Sequence, residues 1–203
     1  MILHVTAVIV LLSLVGCSAE TEKEEKVAYI TANSNSEYEN VFKDLGLGIL
    51  YDFNLKLPHA DQSWVHIWVE GYSNGQKMEP FHLIDLNYGE SPEPTNEGHM
   101  GFGFINPRSE DASLFLYSNS VKAPPTKLNT DKFDLSSMAS SWGYSIGDEE
   151  IGLNSGETKL LAVYRTTKDN KIRTYDYQDS QSIDEMIKNH SFVLLLKIKV
   201  VKT

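Results

Sequence analysis

Ile49-Leu50-Tyr51-Asp52-Phe53-Asn54-Leu55-Lys56-Leu57 alternates along most of its length. Ile49, Tyr51, Phe53, Leu55 and Leu57 are apolar, and Asp52, Asn54 and Lys56 fall between them. Successive side chains of an extended chain point to opposite faces, so this stretch reads as a strand with one face on a core and the other toward solvent. Pro58 stops it, because proline has no N–H to give to a ladder.

The same period recurs outward from this point. Trp64 to Tyr72 is a second strand, and Asn74-Gly75 supplies the residues that tolerate positive φ in a tight hairpin turn. The chain then returns through Phe81 to Leu86. Gly89 to Gly98 carries Pro92 and Pro94 and reads as an exposed loop. Further strands fit 99–105, 113–121, 157–167 and 172–177, with turns at Asn106-Pro107 and at Lys168 to Lys171. Ala123-Pro124-Pro125 breaks the pattern, and 126–142 reads as irregular or partly helical.

Ser182-Ile183-Asp184-Glu185 has capping-box spacing. It opens a short helix to about Asn189, with Ile183, Met186 and Ile187 on one face. Phe192 to Val201 is apolar apart from Lys197 and Lys199, the pattern of a central strand covered on both sides. Roughly eight to ten short strands, many turns and one short helix near the C-terminus predict an all-β fold, a β-sandwich of immunoglobulin-like or jelly-roll-like type. Leu153-Asn154-Ser155-Gly156-Glu157, followed by the strand Lys159 to Thr166, resembles a turn-and-strand pattern of bacterial immunoglobulin-like domains.

The N-terminus has a different character. An apolar run, Val5 to Val15, leads into Gly16 and then Cys17, the single cysteine of 203 residues. The run is too short to span a bilayer, which takes about twenty apolar residues. It fits the core of a cleaved export signal, although its start, Met1-Ile2-Leu3-His4, lacks the usual Lys or Arg.

Leu14-Val15-Gly16-Cys17 resembles the lipobox of bacterial lipoproteins. That resemblance implies cleavage after Gly16, acylation of the Cys17 thiol, and residence at the extracytoplasmic face of the cell membrane. The charged stretch Ser18 to Lys26 has little to bury and reads as a tether. The expected organisation is a signal peptide over 1–16, an acylated tether over 17–26 and one sandwich domain over 27–203.

The net charge is −10, and residues 1–16 carry none of it. So acidic a chain lacks the basic footprint that nucleic acid requires. No partner exists for a disulfide, so the fold rests on packing.

Three constellations are candidates for chemistry. Gly143-Tyr144-Ser145-Ile146-Gly147 fits the G-x-S-x-G pattern of serine hydrolases, with Asp169, Asp176, Asp179 or Asp184 and then His190 following in the matching chain order. That chemistry needs a buried strand before the serine and a helix after it. The polar run Ser136 to Ser141 and the short, glycine-broken 148–153 supply neither, so Ser145 is the alternative reading. His59, Asp61, His66, His82 and His99, the run Asp148-Glu149-Glu150 and the loop Glu90 to Glu97 have no established metal-ligand spacing. Neither a metal nor a cofactor is expected.

The third constellation is the candidate binding surface. Period two places Trp64, His66, Trp68, Glu70 and Tyr72 on one face of their strand, with Val65, Ile67 and Val69 on the core side. Exposed, those aromatics would stack on sugar rings or grip a protein partner. Covered by a loop or the helix, the tryptophans would be core, as a sandwich of this size favours. The function these features point to is a non-enzymatic envelope lipoprotein that binds a glycan or a protein partner.

Overall fold

The computed structural model describes residues 26–119, 121–130, 139–167, 171 and 173–203. The signal segment, Cys17 and the tether up to residue 25 lie outside the described residues, as do Asp169 and 131–138. In chain order the elements are β1 (Ala28–Ala32), α1 (Glu37–Asp44), β2 (Gly48–Leu57), a 3₁₀ turn (Ala60–Gln62), β3 (Ser63–Ser73), β4 (Gln76–Lys77), β5 (Ile84–Gly89), β6 (Asn96–Ile105), β7 (Ser113–Ser118), β8 (Lys122–Lys127), β9 (Ala139–Tyr144), β10 (Ile151–Leu153), β11 (Thr158–Thr167), α2 (Ser180–Asn189) and β12 (Phe192–Lys202).

The strands form two antiparallel sheets packed as a β-sandwich. One sheet runs β10-β1-β2-β6-β7-β8; the other runs β4-β3-β12-β11-β9, with β5 also on the edge of β3. The apolar row of β2 faces the interior, with Phe53 fully buried and Tyr51, Leu55 and Leu57 nearly so. Opposite it lie Val65, Ile67 and Val69 of β3 and Leu194, Leu196, Ile198 and Val200 of β12. Each such side chain contributes about 1.5–3 kcal/mol by leaving water. A one-residue slip of β2 would expose its whole row at once, so the alternation holds the register. Tyr51 Oη donates to the Val163 carbonyl at 2.8 Å and so links the two sheets through the core.

β12 sits between β3 and β11, as its apolar sequence predicts. Its second face, Val193 and Leu195, meets Met186 and Ile187 of α2. The hairpin after β3 turns through Asn74 (φ 51°) and Gly75 (φ 80°), pairing Ser73 with Gln76.

Several expectations are corrected. Twelve strands are present in the described residues against the roughly eight to ten expected, because short edge segments pair where proline and serine suggested loops. β8 contains Pro124 and Pro125 and still pairs with β7, as an edge strand tolerates. No strand forms over 173–177. Tyr175 and Tyr177 are held by packing against the α2 cluster instead of by a ladder. α2 starts earlier than its capping-box spacing implies: Asp179 caps it by accepting from the Gln181 and Ser182 amides, while the Ser182 hydroxyl accepts from the Asp176 amide.

The second helix, α1, was not expected. Ser36 Oγ accepts from the Glu39 amide at its start. At its end Gly46 (φ 66°) closes a Schellman turn, with Leu47 N–H donating to Phe42 O and Gly46 N–H to Lys43 O.

Candidate binding site

The outward face of β3 is graded from open to closed. Trp64 is 42% exposed, and its indole lies against Gly89, its register partner on β5. His66 is half-buried. Trp68 is only 7% exposed, because His66 (ring centroids 4.5 Å away) and His82 (5.3 Å) pack on it.

Glu70 is buried, and all three donors around it converge on its carboxylate. Trp68 Nε1 donates at 3.0 Å, Tyr72 Oη at 2.8 Å and Lys197 Nζ at 3.0 Å. Burial works to raise this carboxyl, but the hydrogen bonds from Trp68 and Lys197, the Lys197 charge and the Tyr72 bond together hold it below the usual range. Tyr72 packs against the α2 cluster. The five residues therefore share a face, as the period requires, yet they divide. Glu70, Tyr72 and Trp68 are a satisfied structural network, Trp64 is exposed, and His66 and Tyr72 are half-buried.

A larger concavity lies on the opposite sheet. Its floor is the outward face of β2, β6 and β7, and α1 crosses above it. Gly101 and Gly103 on β6 leave the room that the Tyr117 and Phe115 rings of β7 fill, since a Cβ at either position would overlap those rings. Tyr38, Val41 and Phe42 reach down from α1 toward Leu50, Phe115 and Tyr117, with Phe42 and Phe115 centroids 5.8 Å apart. No residue of α1 is buried. A cleft of about 580 Å³ separates helix from sheet, with His99, Asn119 and Lys122 as polar lining.

Asp52 lies behind the His99 and Tyr117 side chains that line this cleft, wholly buried. Its carboxylate accepts from Asn33 Nδ2 at 2.8 Å, Tyr117 Oη at 2.8 Å and His99 Nδ1 at 3.0 Å. Its amide donates to Tyr144 Oη, which in turn donates to Glu39 Oε2 and so ties the first turn of α1 to β2 and β9. Burial first, and then the Asp52 charge, push the Tyr117 phenol far above its ordinary range.

Because Nδ1 of His99 faces a carboxylate, the ring proton sits there. The imidazole is 42% exposed and lies tilted against Tyr38, ring centroids 4.7 Å apart, at the cleft. The sequence placed Asp52 on a solvent face and singled out neither Tyr38 nor Tyr117. A Ser36-x-x-Glu39 spacing was the local signal for α1.

The remaining candidates separate. Ser145 follows β9, with no helix after it, and is buried. Its hydroxyl donates to the Leu160 carbonyl at 2.6 Å. His190 is also buried, and its Nδ1 lies 2.8 Å from the Met186 carbonyl. His66 and His82 stack on β3 while His99 lies on the other sheet. No group of three or more His, Cys, Asp or Glu comes together to hold a metal among the described residues. No described helix is long and apolar enough to cross a membrane. No protein-family model, curated protein or solved structure matches this chain.

Proposed function

We propose that this chain is a lipid-anchored binding module of the cell envelope, held at the extracytoplasmic membrane face through acylated Cys17, and that the cleft beneath α1 takes an envelope glycan. One observation carries the reading: a helix with no buried residue stands over an aromatic cleft whose base presents an oriented imidazole. Ligand sites are concave and mostly apolar, with a few placed polar groups. Tyr38, Phe42, Phe115 and Tyr117 offer ring faces to the apolar faces of sugars. His99, Asn119 and Lys122 stand at the margin for hydroxyls.

Titration calorimetry of the whole protein with defined envelope oligosaccharides tests the site. Tyr38→Ala and His99→Ala are each expected to weaken binding at least tenfold, and Trp64→Ala to leave it unchanged. Equal binding by all three variants would remove the cleft from the reading. Metabolic labelling with a palmitate analogue, lost in Cys17→Ser, tests the anchor.

A further inference from the structure

We propose that Arg165 is the receptor for a small oxyanion, a carboxylate or phosphate group, at a second site on the sheet away from the α1 cleft. Arg165 lies on β11 two residues beyond Val163, on the outward face that α2 and the segment 173–178 cover. Its side chain is more than nine-tenths buried, at 4% exposed. Nη2 donates to the Arg173 carbonyl at 2.6 Å. Nε and Nη1 are buried and reach no acceptor, so three of the five N–H donors of a guanidinium stand unmatched.

This group cannot shed its charge, as a buried lysine does by losing a proton. Lys197, half-buried on β12, has Glu70 at 3.0 Å. No carboxylate stands at such a distance from Arg165 among the described residues. Asp176, on the covering segment, is exposed and accepts the Gln178 amide instead.

The ring of Tyr175 covers one face of the guanidinium, 4.9 Å from its central carbon, which leaves the edges as the place for a ligand. The Tyr175 hydroxyl is likewise buried without a partner. The unmatched guanidinium groups are donors only and the phenol can donate, so the complementary ligand is an acceptor with negative charge. Two oxygens in one plane match the guanidinium edge, as carboxylate and phosphate do.

Access runs through the cover. Residues 173–176 have no regular structure, and Gln178 Nε2 donating to the Ser145 carbonyl at 2.7 Å is one of the few bonds that hold the segment down.

The test uses the whole protein at constant ionic strength, with sodium phosphate or sodium acetate replacing sodium chloride. A ligand that binds only the folded state raises the melting temperature with its concentration. Phosphate or acetate is expected to raise it saturably. Arg165→Lys, which keeps charge but not the planar fork, should weaken the response several-fold, and Arg165→Met should abolish it.

A readout that needs no variant comes from the Arg165 Nε–Hε resonance, one of three from Arg108, Arg165 and Arg173. It should shift saturably with the same anion. A response to phosphate alone assigns a phosphoryl ligand, and a response to acetate assigns a carboxylate. No shift of that resonance with either anion, or a thermal response undiminished in Arg165→Met, overturns the proposal.

Discussion

Tyr117 and Gly101 are register partners on β7 and β6, and the phenol occupies the space a side chain at 101 would take. A Cβ there would lie 2.7 Å from the Tyr117 hydroxyl and 2.0 Å from the Tyr51 carbonyl oxygen. The glycine is what lets that hydroxyl reach the buried Asp52 at 2.8 Å. Gly101→Ala is therefore expected to destabilise the fold by about 1–3 kcal/mol, the range for forcing atoms into a packed site. A urea midpoint equal to that of the wild type would show that β6 and β7 can separate there at no cost.

Tyr51→Phe removes the hydrogen bond that crosses the core to the Val163 carbonyl and keeps the ring's packing against Phe102 and Tyr144. The expected loss is about 1 kcal/mol. Chemical denaturation checks it, and a loss of about 4 kcal/mol would mean the ring itself has moved.

Glu70 makes stability depend on acid. Its folded value lies below the ordinary carboxylate range, so the unfolded chain binds the proton more readily. The contribution is complete above the ordinary value of 4.5 and is lost as pH falls through the lower folded value. Glu70→Gln should cost about 2 kcal/mol at pH 7, the scale of hydrogen bonds to a charged group. The gap between variant and wild type should narrow as pH falls below 4.5. A gap that stays constant with pH would remove the carboxylate charge as its source.

His66 is shifted in the same sense for a different reason. Burial, the neighbouring His82 and Lys199 lower its value from 6.5, and Asp85 opposes them in part. Protonation thus favours the unfolded chain. The contribution is complete above 6.5 and declines as pH falls from there toward the folded value. In an NMR titration His82→Gln should move the His66 midpoint upward. An unchanged midpoint would assign the shift to burial and Lys199.

Much of the architecture was readable from period two. β2 and β3 each carry a row whose burial on one side requires alternation, β12 shows the continuous apolar run of a strand covered on both sides, and the Asn74-Gly75 turn needs two positive φ values that few other pairs adopt. α1 was not readable by the same rule, because its apolar residues Tyr38, Val41, Phe42 and Leu45 follow the helical spacing of three and four over barely two turns, and none of the helix is buried. Tyr175 and Tyr177 look like a strand pattern but pack beside α2 without a ladder partner.

The cleft was hidden for a further reason. Asp52 occupies a position that β2's alternation assigns to solvent, and only the arrival of Tyr117, His99 and Asn33 from elsewhere in the chain buries it. The row on β3 was placed on the correct face. Its division into open and closed halves depends on His82 and Lys197, which the strand's own sequence does not contain.

The position of β12 bears on when the molecule can form at all. The middle of its sheet is the last strand in chain order, and Lys197 meets Glu70 across a sequence separation of 127 residues. β3 and β11 have no direct ladder with each other, so neither can be zipped to the other while residues 192–202 are missing. Loop closure over such a distance must precede any gain from pairing, which makes assembly slow and all-or-none. A chain still emerging from a ribosome would lack this pairing until residues 192–202 appeared.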